Sequence, residues 1–124
     1  MKETRNTKQF ETIRSIITDA GRPLSIDEMQ KSALEELGSI GLRTVYRAVR
    51  RMEEMGEIES IKVQGRADRY ELSCIASSHH HFHCTACDRL FDIHGCPGGL
   101  SDLLPKGFQM DNHDILLTGT CDTC

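Results

Sequence analysis

Apolar residues recur at helical spacing near the start of the chain. Phe10, Ile13, Ile16, Ile17 and Ala20 fall on one side of a helix, and Gly21 and Pro23 follow as stop signals. Ser25 and Glu28 make a Ser-x-x-Glu capping box that opens a second helix, with Ile26, Met29, Ala33 and Leu37 on one side and Gly38 at its end. A third helix is expected from near Gly41 to Met55, with Gly56 just past it and Val45, Val49 and Met52, joined by Ala48, as its apolar stripe. The period then changes. Ile61 and Val63 alternate with polar neighbours, residues 64–68 supply a turn, and Tyr70 and Leu72 alternate again, which is a hairpin signal. Three helices followed by a hairpin predict a winged helix-turn-helix, a DNA-binding layout.

The third helix carries a second, polar side. Arg43, Arg47, Arg50 and Arg51 gather there, with Thr44 and Tyr46 in or near the first turn, where a recognition helix meets base edges. Arginine can fork onto guanine and an aromatic ring can pack on a thymine methyl. Arg43, Thr44, Tyr46, Arg47 and Arg50 are therefore the candidate DNA contacts, with Arg66 or Arg69 near the wing as further phosphate ligands. Charge alone argues the other way: residues 1–73 carry 13 basic and 13 acidic side chains, so the helix could equally be a solvated face. The ordered pattern of helices, basic face and hairpin favours DNA.

Composition divides the chain in two, at residues 1–73 and 74–124. Residues 74–124 hold 2 basic and 6 acidic residues but all six cysteines and all six histidines. With no tryptophan and 38% hydrophobic residues, a domain of that length needs a staple. No stretch is long and apolar enough for a membrane span, and no apolar segment follows the first charges as in a secretory signal. A cytoplasmic protein is expected, where such thiols are metal ligands more often than disulfides.

Cys84 and Cys87, and Cys121 and Cys124, form two Cys-x-x-Cys pairs whose four thiolates suit tetrahedral structural zinc. They would tie together two strands expected at residues 81–86 and 115–120. Upstream, His79, His81 and His83 share one face of a strand and His80 the other. His79 and His81 can reach one ion, with Glu71, Asp92 and Cys96 as candidates for the remaining ligands. His80 with His113 forms a possible second site on the opposite face.

The Leu42-Arg-Thr-Val-Tyr-Arg47 segment, the His79-to-Cys87 stretch and the final Cys-x-x-Cys together resemble the ferric uptake regulator (Fur) family, in the same order and over about residues 7–124. The resemblance implies an α+β protein: an amino-terminal winged-helix domain and a small carboxy-terminal α/β dimerisation domain with structural zinc. It implies a homodimeric, metal-responsive regulator that binds double-stranded DNA, with no membrane and no small-molecule substrate as partner. By the same resemblance Tyr46 and Arg47 contact bases, the two cysteine pairs hold the structural zinc, and Glu71, His79, His81 and Asp92 hold a regulatory metal between the domains. Zinc or ferrous iron is the expected regulatory ion, manganese being possible, and repression of metal-homeostasis genes the expected output.

Several positions depart from the family pattern. Pro23 stands where a histidine is usual, a carboxylate expected near Gly99 is missing, and Ser78 and His80 stand where His and Asp are frequent. Cys96 is an addition that could replace the missing ligand. The helix usual after the Asp92 strand is cut short by Pro97, Gly98, Gly99 and Pro105. A peroxide-sensing regulator of the same family is the alternative function. A zinc enzyme is less favoured, because there is no HExxH motif and no nucleophile with a partner. A metal-storage protein would have no need of the recognition helix.

Overall fold

The computed structural model describes residues 5–76 and 80–124, with side chains from residue 6 onward. The chain forms two compact units, Met1–Ser77 and Ser78–Cys124.

In the first unit, α1 (Arg5–Asp19), α2 (Ile26–Leu37) and α3 (Leu42–Glu54) pack on one another and precede a hairpin of β1 (Ile58–Ile61) and β2 (Arg69–Leu72). The stripes read from the sequence meet in one core: Ile13 and Ile17 from α1, Ile26, Met29 and Ala33 from α2, and Val45, Ala48, Val49 and Met52 from α3, closed by Leu24, Ile40 and Ile58. The capping box forms in both directions. The Glu28 N–H donates to Ser25 Oγ and the Ser25 N–H to Glu28 Oε1, each at 3.2 Å. Arg22 pairs with the same carboxylate. Gly56, at φ +75°, lets the chain leave α3: its N–H donates to Glu53 O, and that of Glu57 to Met52 O, each at 3.0 Å.

The hairpin starts earlier than expected. Ile58 pairs with Leu72 and Ile61 with Arg69, so the expected strand residue Val63 lies in the connecting loop although its side chain is buried. An unforeseen third member joins the sheet. Leu24 bridges Tyr70 through two hydrogen bonds of 3.0 and 2.8 Å, held extended beside a fully buried Pro23. A short helix, α4 (Ser73–Ala76), packs on β1 and β2 and keeps Cys74 in this unit.

The second unit is a three-stranded sheet in the order β4 (Leu90–Ile93), β3 (His80–Cys84), β5 (Leu116–Gly119), with β3–β4 antiparallel and β3–β5 parallel. Among its described residues the only helical element is a 3-10 turn at Leu100–Leu103, in the segment of Pro97, Gly98, Gly99 and Pro105. The architecture is α+β: a winged helix, then a small sheet unit.

Candidate DNA-reading helix and metal centres

On α3 the apolar and basic residues part cleanly. Val45, Ala48, Val49 and Met52 are buried, while Arg43, Tyr46, Arg47 and Arg50 are exposed and Thr44 is half-buried. Tyr46 is 56% exposed, too open to be a core residue. Arg51 is turned elsewhere: its guanidinium lies 4.7 Å from the centroid of the Phe10 ring, whose other cationic neighbour is Arg14 at 5.2 Å. Arg14 in turn pairs with Glu57. Of the two arginines expected near the wing, Arg66 is exposed in the loop. Arg69 is buried to 1% exposure, which removes it from any phosphate surface.

None of the six cysteines is in a disulfide. Cys84, Cys87, Cys121 and Cys124 converge with their sulfurs within 4.8 Å of one another. Sulfurs bound tetrahedrally at the ordinary zinc–sulfur length sit about 3.8 Å apart, and Cys87 and Cys121 are at 3.9 Å. Local backbone prepares the cluster. The Cys87 and Cys121 N–H groups donate to Cys84 Sγ at 3.5 and 3.3 Å, and these bonds pull the Cys84 thiol down to about 6. The Thr123 hydroxyl lowers Cys121. Cys124 is pushed up to about 12, chiefly by Cys121. Four thiolates repel one another without a cation among them, so the donor set fits one that a dication completes.

Strand β3 separates the histidines by parity. His81 lies opposite Asp92 in the β3–β4 ladder, with His81 Nε2 3.3 Å from Asp92 Oδ1 and both side chains about nine-tenths buried. Among the described residues Asp92 Oδ1 is a buried oxygen without a hydrogen bond. A buried carboxylate oxygen without a donor, beside an imidazole nitrogen, suits a cation. His83 is engaged differently, 2.7 Å from Asp88 Oδ1, with Asp88 at φ +63° in the turn after the first cysteine pair. Sequence reasoning missed that partner. A short acidic residue just past a Cys-x-x-Cys, able to adopt a left-handed turn, was the available signal.

Two expected ligands of the regulatory set are separated from it or fall outside it. His79 lies outside the described residues. Cys96 is not placed with His81 and Asp92: its Sγ is 3.2 Å from His113 Nε2, and His80 completes that group, with all three donors within 4.8 Å of one another. The loop through Gly95, Pro97 and Gly98 turns Cys96 toward that other group, which its position in the sequence does not disclose. Glu71 is on β2 of the first unit, opposite Glu59.

A winged helix with an exposed basic face, in one chain with a four-cysteine centre, defines a fold of metal-binding DNA-associated proteins. The chain belongs to the ferric uptake regulator family, whose model matches residues 1–117. The family's members are metal-binding transcription regulators, not enzymes. Among curated relatives, the ferric uptake regulation protein of Synechococcus elongatus is 26% identical over 125 residues, covering 97% of this chain and 85% of that protein. The solved structure of the Helicobacter pylori ferric uptake regulator, described as having three functional metal-binding sites, aligns with 100% of this chain and 82% of its own at 22% identity and a TM-score of 0.74. A zinc-bound manganese uptake regulator aligns with 98% of this chain and 91% of its own at 21% identity and a TM-score of 0.78. These structural likenesses establish the fold. No described helix is long and apolar enough to cross a membrane.

Proposed function

We propose that this chain is a cytoplasmic, dimeric, metal-dependent repressor that reads double-stranded DNA through α3 and controls metal-homeostasis genes in response to zinc or ferrous iron. The observation that carries the reading is the buried Asp92 Oδ1, which lacks a hydrogen bond and lies 3.3 Å from His81 Nε2. An imidazole and a carboxylate suit ferrous iron, manganese or zinc, and such a cluster in a DNA-binding chain gives it something to sense. Glu71 and His79 are the further ligands that the resemblance supplies. The four cysteines hold structural zinc in this reading.

DNA binding is supported by the division of α3 into a core face and an exposed face of Arg43, Thr44, Tyr46, Arg47 and Arg50. Tyr46 and Arg47 meet base edges, while Arg43 and Arg50 meet phosphates. Dimerisation is supported by apolar side chains that the second unit leaves open: Leu103 at 79%, Phe108 at 66% and Leu117 at 52% exposure. Covering them against a second copy removes apolar surface from water, at about 25 cal/mol per Å² buried, which offsets part of the cost of association. The regulatory ion acts by shifting population. It can favour the DNA-competent dimer only by as much as it binds that state more tightly than the other.

The test is an anaerobic titration of the zinc-loaded chain into operator-bearing DNA at fixed salt, with zinc, ferrous iron or manganese added in turn. The expected result is tighter binding by tenfold or more (about 1.4 kcal/mol) with one of them, and its loss in Asp92→Asn. Binding indifferent to every metal across a pool of genomic fragments would remove the sensor reading.

A further inference from the structure

We infer that His83 and Asp88 form a clasp that sets how firmly the first cysteine pair grips its metal: they are positioning residues that hold Cys84 and Cys87 ready for the ion. The inference rests on the reading that the four cysteines hold zinc. His83 is the residue before Cys84, and Asp88 the residue after Cys87. Their side chains meet at 2.7 Å, Nε2 to Oδ1. A carboxylate only accepts, so the imidazole donates. The contact closes a ring around Cys84, Thr85, Ala86 and Cys87, so spreading the base of that turn breaks it.

The backbone at the base of the ring is tied as well. The Cys84 N–H donates to Arg89 O at 3.0 Å, and the Asp88 N–H to Cys84 O at 2.8 Å. Inside it, the Cys87 N–H reaches Cys84 Sγ at 3.5 Å. To return into β4 the chain reverses at Asp88, at φ +63°, the only non-glycine residue at positive φ among the described residues. Glycine would take that conformation freely, whereas any side chain there strains the backbone. Aspartate tolerates it better than most. Its carboxylate supplies what glycine could not, an acceptor for a buried imidazole.

Burial makes the pair lopsided, and that separates a clasp from an ordinary buried hydrogen bond. The His83 side chain is 4% exposed and that of Asp88 43%. Deleting the carboxylate strands a buried N–H, whereas deleting the imidazole leaves a carboxylate that water can solvate. A pair that only satisfies burial would therefore suffer from loss of Asp88 and hardly from loss of His83. A clasp suffers alike from both, because the ring opens either way. Groups that orient a metal's ligands without touching the metal contribute about 10–100-fold in affinity, which is the scale expected here.

The experiment uses the full chain under anaerobic conditions, stripped of exchangeable metal but retaining its tightly held zinc, and follows transfer of that zinc to an excess of a chromogenic chelator. Asp88→Gly and His83→Leu are each expected to speed transfer about tenfold or more. Asp88→Asn keeps an acceptor oxygen and tolerates the left-handed backbone, and is expected to stay within about twofold of the wild type. Cobalt(II) in place of the zinc is expected to give four-thiolate absorption in every variant, so that faster transfer does not reflect a lost ligand. Acceleration in Asp88→Gly alone would reduce the pair to a buried hydrogen bond and overturn the inference. Asp88→Asn as fast as Asp88→Gly, or unchanged transfer in all three, would overturn it equally. A wild type that retains no zinc would instead overturn the four-cysteine reading, and the inference with it.

Discussion

Tyr46 and Arg51 show how little separates a proposed DNA contact from a structural residue on the same helix. Both lie on the polar side of α3, yet Tyr46 projects into solvent and Arg51 folds back over Phe10. Replacing Tyr46 or Arg47 with alanine is expected to cost about 1–3 kcal/mol of discrimination between operator and unrelated DNA. Arg50→Ala should weaken both DNAs alike and lower the slope of log affinity against log salt by about one. Arg51→Ala is expected to act on stability, by about 0.5–1 kcal/mol, and to leave sequence preference unchanged. Anisotropy titrations at several salt concentrations, beside a thermal melt, separate the three behaviours. The basic side of α3 was legible from spacing. The diversion of Arg51 was not, because it depends on where Phe10 of another helix comes to lie.

Elements marked by local chemistry were the easiest to read. The Ser25–Glu28 box places the start of α2 correctly because both hydrogen bonds close within four residues. Ser25→Ala should cost about 1 kcal/mol in a urea melt. Burial alone would raise the Glu28 carboxyl, but Arg22 and the Ser25 N–H outweigh it and hold the group below its ordinary value of 4.5. A carboxyl lowered by folding stabilises the fold above its unfolded value, and that contribution disappears as the pH falls through the lowered folded value. Arg22→Ala is thus expected to reduce stability at neutral pH and to flatten its decline toward acid, which melts across the acid range would reveal. The Leu24–Tyr70 bridge was invisible to pattern reading, since a single paired residue has no period. It also gives Pro23 a local account: a ring with φ fixed near −65° and no N–H to satisfy suits this buried, extended approach to Leu24.

At the scale of the molecule, the two units rest on different physics. Among the described residues, the first has a core cluster of twelve buried apolar side chains. The second is a small sheet whose buried apolar side chains, among the described residues, are Cys84 and Leu90. A unit of its size gains only a few kcal/mol from packing, against about 10–16 kcal/mol for a structural zinc. Chelation, or Cys121→Ser, is therefore expected to unfold the second unit and abolish the proposed dimer while the helical circular dichroism of α1, α2 and α3 persists. Sedimentation and far-ultraviolet spectra of the same sample decide it. The cysteine pairs were readable because metal-ligand spacing is local. The partner of Cys96 was not, because 16 residues separate it from His113 and the glycine turns between set its direction.

Alternation along β3 has an evolutionary consequence. Side chains on one face of the strand can drift, be traded or be lost while those on the other keep their neighbours, provided the number of residues stays the same. Insertion of one residue before Cys84 would be far more disruptive than any substitution: it would exchange the occupants of the two faces, parting His81 from Asp92 and His80 from His113. Length, more than composition, is what selection must guard in this strand.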